Sequence, residues 1–321
     1  MKFICGPMAT LSHAAFRIAV EKCGGADEYF TEMINAPSLV TGGPFEKFYT
    51  ENIPCPQKIV WQLTGNKAES LAKAASILAG LGGAGIDVNM GCSAPQIYKT
   101  GAGIAWMLKG LDETREMIRG VKKAVDSSKS GMRLSVKCRL GPDNFTQDSF
   151  FSFTDMLVEE GVQLITLHPR TIKEKERFAP RFEYAQMLIS RYGGKIPVYI
   201  NGCIKDSGTM QRACQLVPDA GGIMISRAAA QKPWIFDQLR GCHGRIDAEG
   251  LALDFIEDLK IHQPPEFFKT RMQRFFFYYC MNFSFGHYFQ KLMLNASSME
   301  ESIERVKEYF VQQPDDSVIE Y

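Results

Sequence analysis

Cys92 closes the stretch Ile86–Cys92, an apolar run ending in Asn-Met-Gly, and opens a loop of small residues. A thiol at such a place can be a nucleophile, a proton donor, a metal ligand or filler. The chain has nine cysteines, an odd number, and none are paired as C-x-x-C, so neither a disulfide framework nor a zinc knuckle is signalled. Thiols scattered in this way suit a reducing compartment. A second residue demands explanation. Lys137 lies inside the apolar run 133–138, where its charge must meet something that compensates it.

These residues need elements to hold them. Strand-like runs occur at 3–8, 28–33, 58–63, 85–90, 133–138, 163–168, 197–201 and 222–226. Helix-like stretches alternate with them, at 12–24, 67–82, 111–125, 147–161, 181–193, 206–217 and 232–239. The strands are continuous apolar runs, as expected where both faces are buried. Eight such units in residues 1–242 predict an α/β fold, a (β/α)8 TIM barrel. A doubly wound sheet would show G-x-G-x-x-G after its first strand, and here "ATLSH" stands there instead. Residues 243–321 read as a small helical domain, with a capped helix at 298–310 and a frayed acidic tail from about Gln312.

Barrel active sites form at the C-terminal strand ends, so the residues there test function. The first strand ends at Pro7-Met8, the third carries Gln62, and the fourth ends Asn89-Met90-Gly91-Cys92. Lys137 and Arg139 follow on the fifth and His168 on the sixth. Asn201-Gly202 closes the seventh, and Ser226-Arg227 the eighth. Small residues and backbone amides after strands seven and eight are the usual phosphate site of this architecture, and Arg227 can add a charge-assisted contact. A phosphate at one side, with Lys137, Gln62 and His168 around the rim, suits flavin mononucleotide (FMN). Lys137 would then stabilise negative charge at the pyrimidine end of the reduced ring.

Seven motifs in this order resemble the tRNA-dihydrouridine synthases: "GPMATLSHAAFR" (6–17), "WQLTG" (61–65), "DVNMGC" (87–92), "VKCRLG" (136–141), "LHPRT" (167–171), "NGCI" (201–204) and "GIMISRAAAQKPWIF" (222–236). The resemblance covers nearly the whole chain. It implies an FMN-dependent enzyme in which NADPH (or NADH) reduces the flavin, a hydride passes to C6 of a uracil in tRNA, and a cysteine protonates C5. By motif, Cys92 is that acid, and a thiol of ordinary pKa, near 8.5, can release a proton to a developing enolate. Asn89, Lys137 and Arg139 would contact the uracil. Pro7, Met8, Gln62, Lys137 and His168 would hold the flavin ring and ribityl chain, and Asn201, Gly202, Ser226 and Arg227 its phosphate. A uridine inside tRNA must be turned out of its stack beside a charged surface, and Arg271 and Arg274, three apart on one helix, are the candidates for it.

The chain departs from the family pattern at four places. Ser93-Ala94 separates Cys92 from Pro95, Cys203 replaces an acidic residue, Ser226 and Ala228 replace glycines, and the helical domain is acidic. Residues 241–321 hold 8 Lys/Arg against 13 Asp/Glu, a balance of −5. Two rival readings are a flavin enzyme acting on a free pyrimidine, like dihydropyrimidine or dihydroorotate dehydrogenase, and a tRNA chaperone without catalysis. The chain is 45% hydrophobic and 23% charged with a net charge of +1, ordinary for a soluble enzyme and without a global field for nucleic acid or membranes. No apolar run reaches the ~20 residues of a membrane span, and the N-terminus lacks the length of a signal peptide. A cytoplasmic, metal-free monomer is the expectation.

Overall fold

The computed structural model describes residues 1–174 and 177–321. Eight parallel strands close on themselves: β1 (Lys2–Cys5), β2 (Glu28–Phe30), β3 (Ile59–Thr64), β4 (Gly85–Met90), β5 (Arg133–Gly141), β6 (Leu164–Thr171), β7 (Val198–Asn201) and β8 (Gly222–Ile225). β8 returns to β1 through Lys2↔Gly222 and Cys5↔Ile225, which completes a TIM barrel. The helices that follow the strands include α1 (Ala14–Lys22), α2 (Ala36–Thr41), α3 (Ala68–Ala79), α4 (Leu111–Ser127), α5 (Gln147–Glu159), α6 (Glu183–Tyr192) and α7 (Ser207–Leu216). After β8 come two short ones, α8 (Arg227–Gln231) and α9 (Ile235–Leu239).

Strand alternation sorts the side chains. Phe3, Cys5, Trp61, Val88, Val136 and Leu167 join the large core shared with the helices. Their alternates Ile4, Phe30, Val60, Leu164, Tyr199 and Met224 fill the barrel interior as a separate cluster. Toward the C-terminal ends the inward alternates become polar: Gln62, Asp87, Asn89, Ser135 and Thr166, all buried. That change of character within a strand is what creates the site.

Strand limits differ from the sequence reading for local reasons. β1 stops at Cys5 because Pro7 offers no N–H and the Ser12 hydroxyl takes over, accepting from Met8 N (2.8 Å) and donating to Gly6 O (3.2 Å). β2 stops at Phe30, and Glu32 turns away to other partners. β5 and β6 run three residues further than their apolar runs, paired at Arg139↔His168 and Gly141↔Thr171.

From Arg245 the chain forms four helices, α10 (Ala248–His262), α11 (Pro265–Tyr279), α12 (Gly286–Leu294) and α13 (Met299–Gln312). Their apolar faces share one continuous core with the barrel's outer layer. Ser298 caps α13 through Glu301 N. The tail is not frayed: β9 (Arg245–Asp247) pairs antiparallel with β10 (Val318–Glu320), and the Tyr321 hydroxyl donates to Asp237 (2.8 Å). Local composition could not reveal a partner some 70 residues away. No helix among the described residues is long and apolar enough to cross a membrane.

Candidate active site

Two neighbouring cavities open at the C-terminal ends of the strands and share Pro7, Lys137 and His168. The smaller, about 220 Å³, is also lined by Met33, Gln62, Asn89, Cys92 and Arg139. The larger, about 900 Å³, continues to Asn201, Gly202, Ser226 and Arg227. Nearly all the strand-end residues named from sequence therefore converge. Met8 is the exception: its side chain packs on the core, because the Ser12 turn draws the chain inward there.

Beneath Cys92 lies a hydrogen-bond relay with a fixed direction. Asp87 accepts from Ser135 Oγ (2.7 Å) and from Gln62 Nε2 (2.8 Å). Gln62 Oε1 accepts from Asn89 Nδ2 (2.9 Å), and Asn89 Oδ1 accepts from the N–H groups of Cys92 (2.9 Å) and Gly91 (3.2 Å). One end is a carboxylate that only accepts and the other is backbone that only donates, so both amides can point one way only. Burial pushes the Asp87 carboxyl up to about 6, against the pull of Gln62, Ser135 and Lys137. Sequence reading gave Gln62 to the cofactor and Asn89 to the base; both amides also hold Cys92. Asp87 was overlooked, although a buried acid in an apolar strand is the same signal as Lys137.

Cys92 is pinned on its other side too, since its carbonyl accepts from Ile104 N (3.0 Å). A Cβ on Gly103 (φ +62°) would lie 2.5 Å from that carbonyl, so only glycine permits the contact. Ser93-Ala94 leads into a short helix, Pro95–Tyr98, with proline at its first turn, where its missing N–H costs nothing. Arg139 Nε donates to Gly91 O (2.9 Å) and closes this side of the cavity.

On β5, beside Asn89, burial and the Arg139 cation lower Lys137 to about 8. Burial, then Lys137 and Arg139, depress His168 to about 2, which leaves the ring neutral. His168 Nε2 faces Arg170 Nη1 at 3.0 Å. A guanidinium only donates, so Nε2 accepts and the ring proton sits on Nδ1. Arg170, itself buried, also donates to Phe178 O (2.7 Å) and approaches Cys203 Sγ at 2.9 Å. The thiol thus stands where an acid would pair with Arg170, and Cys203 adopts φ +56° to do so.

Where β7 and β8 end, the Asn201 amide donates to Met224 O (2.9 Å), tying β7 to β8. Gly202 has φ +134°, and a Cβ there would press on Pro180 and the His168 ring. Ser226 is accommodated by its neighbour: a Cβ on Gly6 would lie 2.3 Å from the Ser226 hydroxyl, so the glycine makes room for the serine. Lys205, Thr209 and Arg212 wall the same cavity, as do Phe277, Tyr278 and Met281 from the helical region; none of these was singled out from sequence as a site residue.

A polar floor, a cation beside it and a cavity ending in backbone amides and Arg227 form a donor set that fits a phosphorylated flavin. The family profile for dihydrouridine synthase (Dus) matches residues 4–311. The chain belongs to the dihydrouridine synthase family. Relatives include a probable tRNA-dihydrouridine synthase of Aquifex aeolicus, 30% identical over 74% of this chain and 72% of its own length. A Staphylococcus aureus protein of the same description is 25% identical over 99% of this chain and 96% of its own. Among solved structures, an old yellow enzyme homologue from Zymomonas mobilis superposes with a TM-score of 0.53 at 11% identity, covering 75% of this chain and 88% of that one, a likeness of fold. As a dihydrouridine synthase the chain is a flavin-dependent oxidoreductase.

Arg271 does not lie where a dihydrouridine synthase could offer it to RNA. It is 2% exposed, pairs with Glu32 Oε2 (2.5 Å) and lies over the Tyr49 and Phe267 rings. Glu32 also accepts from Thr10 N, so Arg271 clamps α11 to the loops after β1 and β2. Arg274 is exposed and reaches Thr10 Oγ1 at 3.3 Å. A spacing of three puts two residues on nearby faces of a helix; it does not say which of them faces inward.

Proposed function

We propose that the protein reduces the C5=C6 bond of a uridine in tRNA to 5,6-dihydrouridine, with FMN as the flavin and NADPH as reductant. The observation that carries this reading is the pinned Cys92 at a cavity that Lys137 and neutral His168 also line. FMN bound there would supply the hydride that C6 of the uracil receives. Asn201, Gly202, Ser226 and Arg227 would hold its phosphate, and Pro7, Gln62, Lys137 and His168 would border its ring and ribityl chain. Lys137 would balance negative charge on the reduced ring. Cys92 Sγ gives its proton to C5 and regains one from water, so hydride and proton together complete the reduction. Arg139 and Asn89 border the uracil.

A tRNA uridine reaches this depth only when turned out of its stack, and residues 243–321 are the domain that holds the RNA while it does so. The test is to give the flavin-loaded protein unmodified tRNA with NADPH or NADH and measure dihydrouridine by mass. Dihydrouridine in tRNA, with free uridine and dihydroorotate left unchanged, is the expected result. Turnover of a free pyrimidine with tRNA untouched would overturn it.

A further inference from the structure

The outer surface where α11 meets α12 is an apolar feature that the reaction leaves unused. α11 is two-sided: Met272, Phe275, Phe276 and Tyr279 are buried, whereas Phe277 and, just beyond its end, Met281 are 43% and 54% exposed. Across the turn, Phe285 and Tyr288 are 56% and 47% exposed. These four line one depression of about 510 Å³. The inward rings satisfy one another, as in the Phe289–Tyr309 stack at 4.2 Å, but Phe285 and Tyr288 have no ring partner among the described residues. Apolar exposure gathered in this way marks a surface that something covers.

We propose that this surface is a shelf on which unpaired bases of the RNA substrate stack, with Lys205 and Arg212 taking the adjoining phosphates; this rests on the tRNA reading. Two observations select nucleic acid as the occupant. Phe277 and Met281 also wall the larger cavity of the active site together with Lys205 and Arg212, so rings and cations share one continuous furrow that leads to the reacting base. Both cations are exposed, and neither forms an ion pair among the described residues. Flat apolar faces beside phosphate-binding cations are what an unpaired nucleotide requires. Stacking also resolves the acidic balance of residues 241–321, because it draws on π-faces and a few phosphates instead of a broad positive field.

The experiment compares wild-type holoprotein with a Phe285→Ala/Tyr288→Ala variant and a Lys205→Ala/Arg212→Ala variant. Affinity for unmodified tRNA is measured at several salt concentrations, alongside flavin content and flavin reduction by NADPH without RNA. The aromatic variant should bind tRNA about ten- to hundredfold more weakly with its salt slope kept, and Phe285→Trp/Tyr288→Phe should restore binding. The charge variant should lower the salt slope by about one to two. Flavin content and reduction by NADPH should be retained in the aromatic variant, which shows that it is folded. Wild-type tRNA affinity in both variants overturns the shelf while leaving the tRNA reading intact. A raised NADPH KM with tRNA affinity unmoved would give the furrow to the dinucleotide, and a wild-type dimer lost in the aromatic variant with RNA affinity unmoved would make it a self-association face; either overturns it. A wild-type protein that neither binds nor modifies tRNA overturns both readings.

Discussion

At the lower end of the barrel, Glu28 is buried and surrounded by partners. Lys2 (2.9 Å) and Arg133, which also bonds through its second nitrogen, neutralise it, and the Tyr199 hydroxyl reaches it at 3.2 Å. At the upper end, Lys137 is enclosed with no ion pair among the described residues, beside a second cation, Arg139, that depresses it further. Asp87 is held above the usual carboxylate range only two residues before Asn89. The same architecture thus pairs its buried charge with counter-ions at the lower end and, among the described residues, leaves Lys137 without one at the upper end. Functional sites break local rules at a cost to the fold.

The comparison can be broken from either end. Lys137→Met should slow reduction of the bound flavin by NADPH on the order of 10²–10³-fold, as for loss of a preorganised charge. The same variant should raise Tm at pH 7. The lysine's folded pKa of about 8 lies below its ordinary value near 10.4, so its charge opposes folding fully below 8 and progressively less as pH rises beyond that. An unchanged flavin reduction rate would remove Lys137 from the cofactor site.

Asp87→Asn should cut the rate of dihydrouridine formation about ten- to hundredfold while flavin content is retained. An asparagine can donate as well as accept, so the relay loses its direction and Cys92 its anchor. In wild type the rate should fall as pH drops through about 6, where Asp87 becomes protonated, and the variant should lack that inflection. A retained inflection would assign it to another group.

Glu28→Gln should do the reverse. It should lower stability by about 2–3 kcal/mol, less than the full cost of orphaning a buried charge, because Lys2 and Arg133 keep some contact with water. Dihydrouridine formation at a temperature well below Tm should match wild type. The smallest effect belongs to pH alone: flavin-free protein should lose FMN affinity severalfold as pH rises through about 8, and Lys137→Met should lose this dependence.

Much of this was legible in the sequence, for a physical reason. Strands buried on both faces are written as short apolar runs, and their ends fall where Pro7, Asn89, His168 and Asn201 stand. Contacts between distant segments leave no such trace. The Glu32–Arg271 clamp joins residues 239 apart, and nothing near Arg271 distinguishes it from exposed Arg274. Gly6 making room for Ser226 is a compensation 220 positions away, so the serine looked like a departure when its cost had already been met. Asp87 was visible, but its direction-setting role depends on Gln62 from the next strand.

The most direct test of the account is a single turnover with Cys92→Ala. Protein carrying reduced flavin is mixed with unmodified tRNA, and flavin oxidation and dihydrouridine are followed together. Wild type should convert tRNA in step with flavin oxidation. The variant should be reduced normally by NADPH, yet form dihydrouridine on the order of 10²–10⁴-fold more slowly. Product formation at the wild-type rate in Cys92→Ala would contradict the assignment of Cys92 as the proton donor.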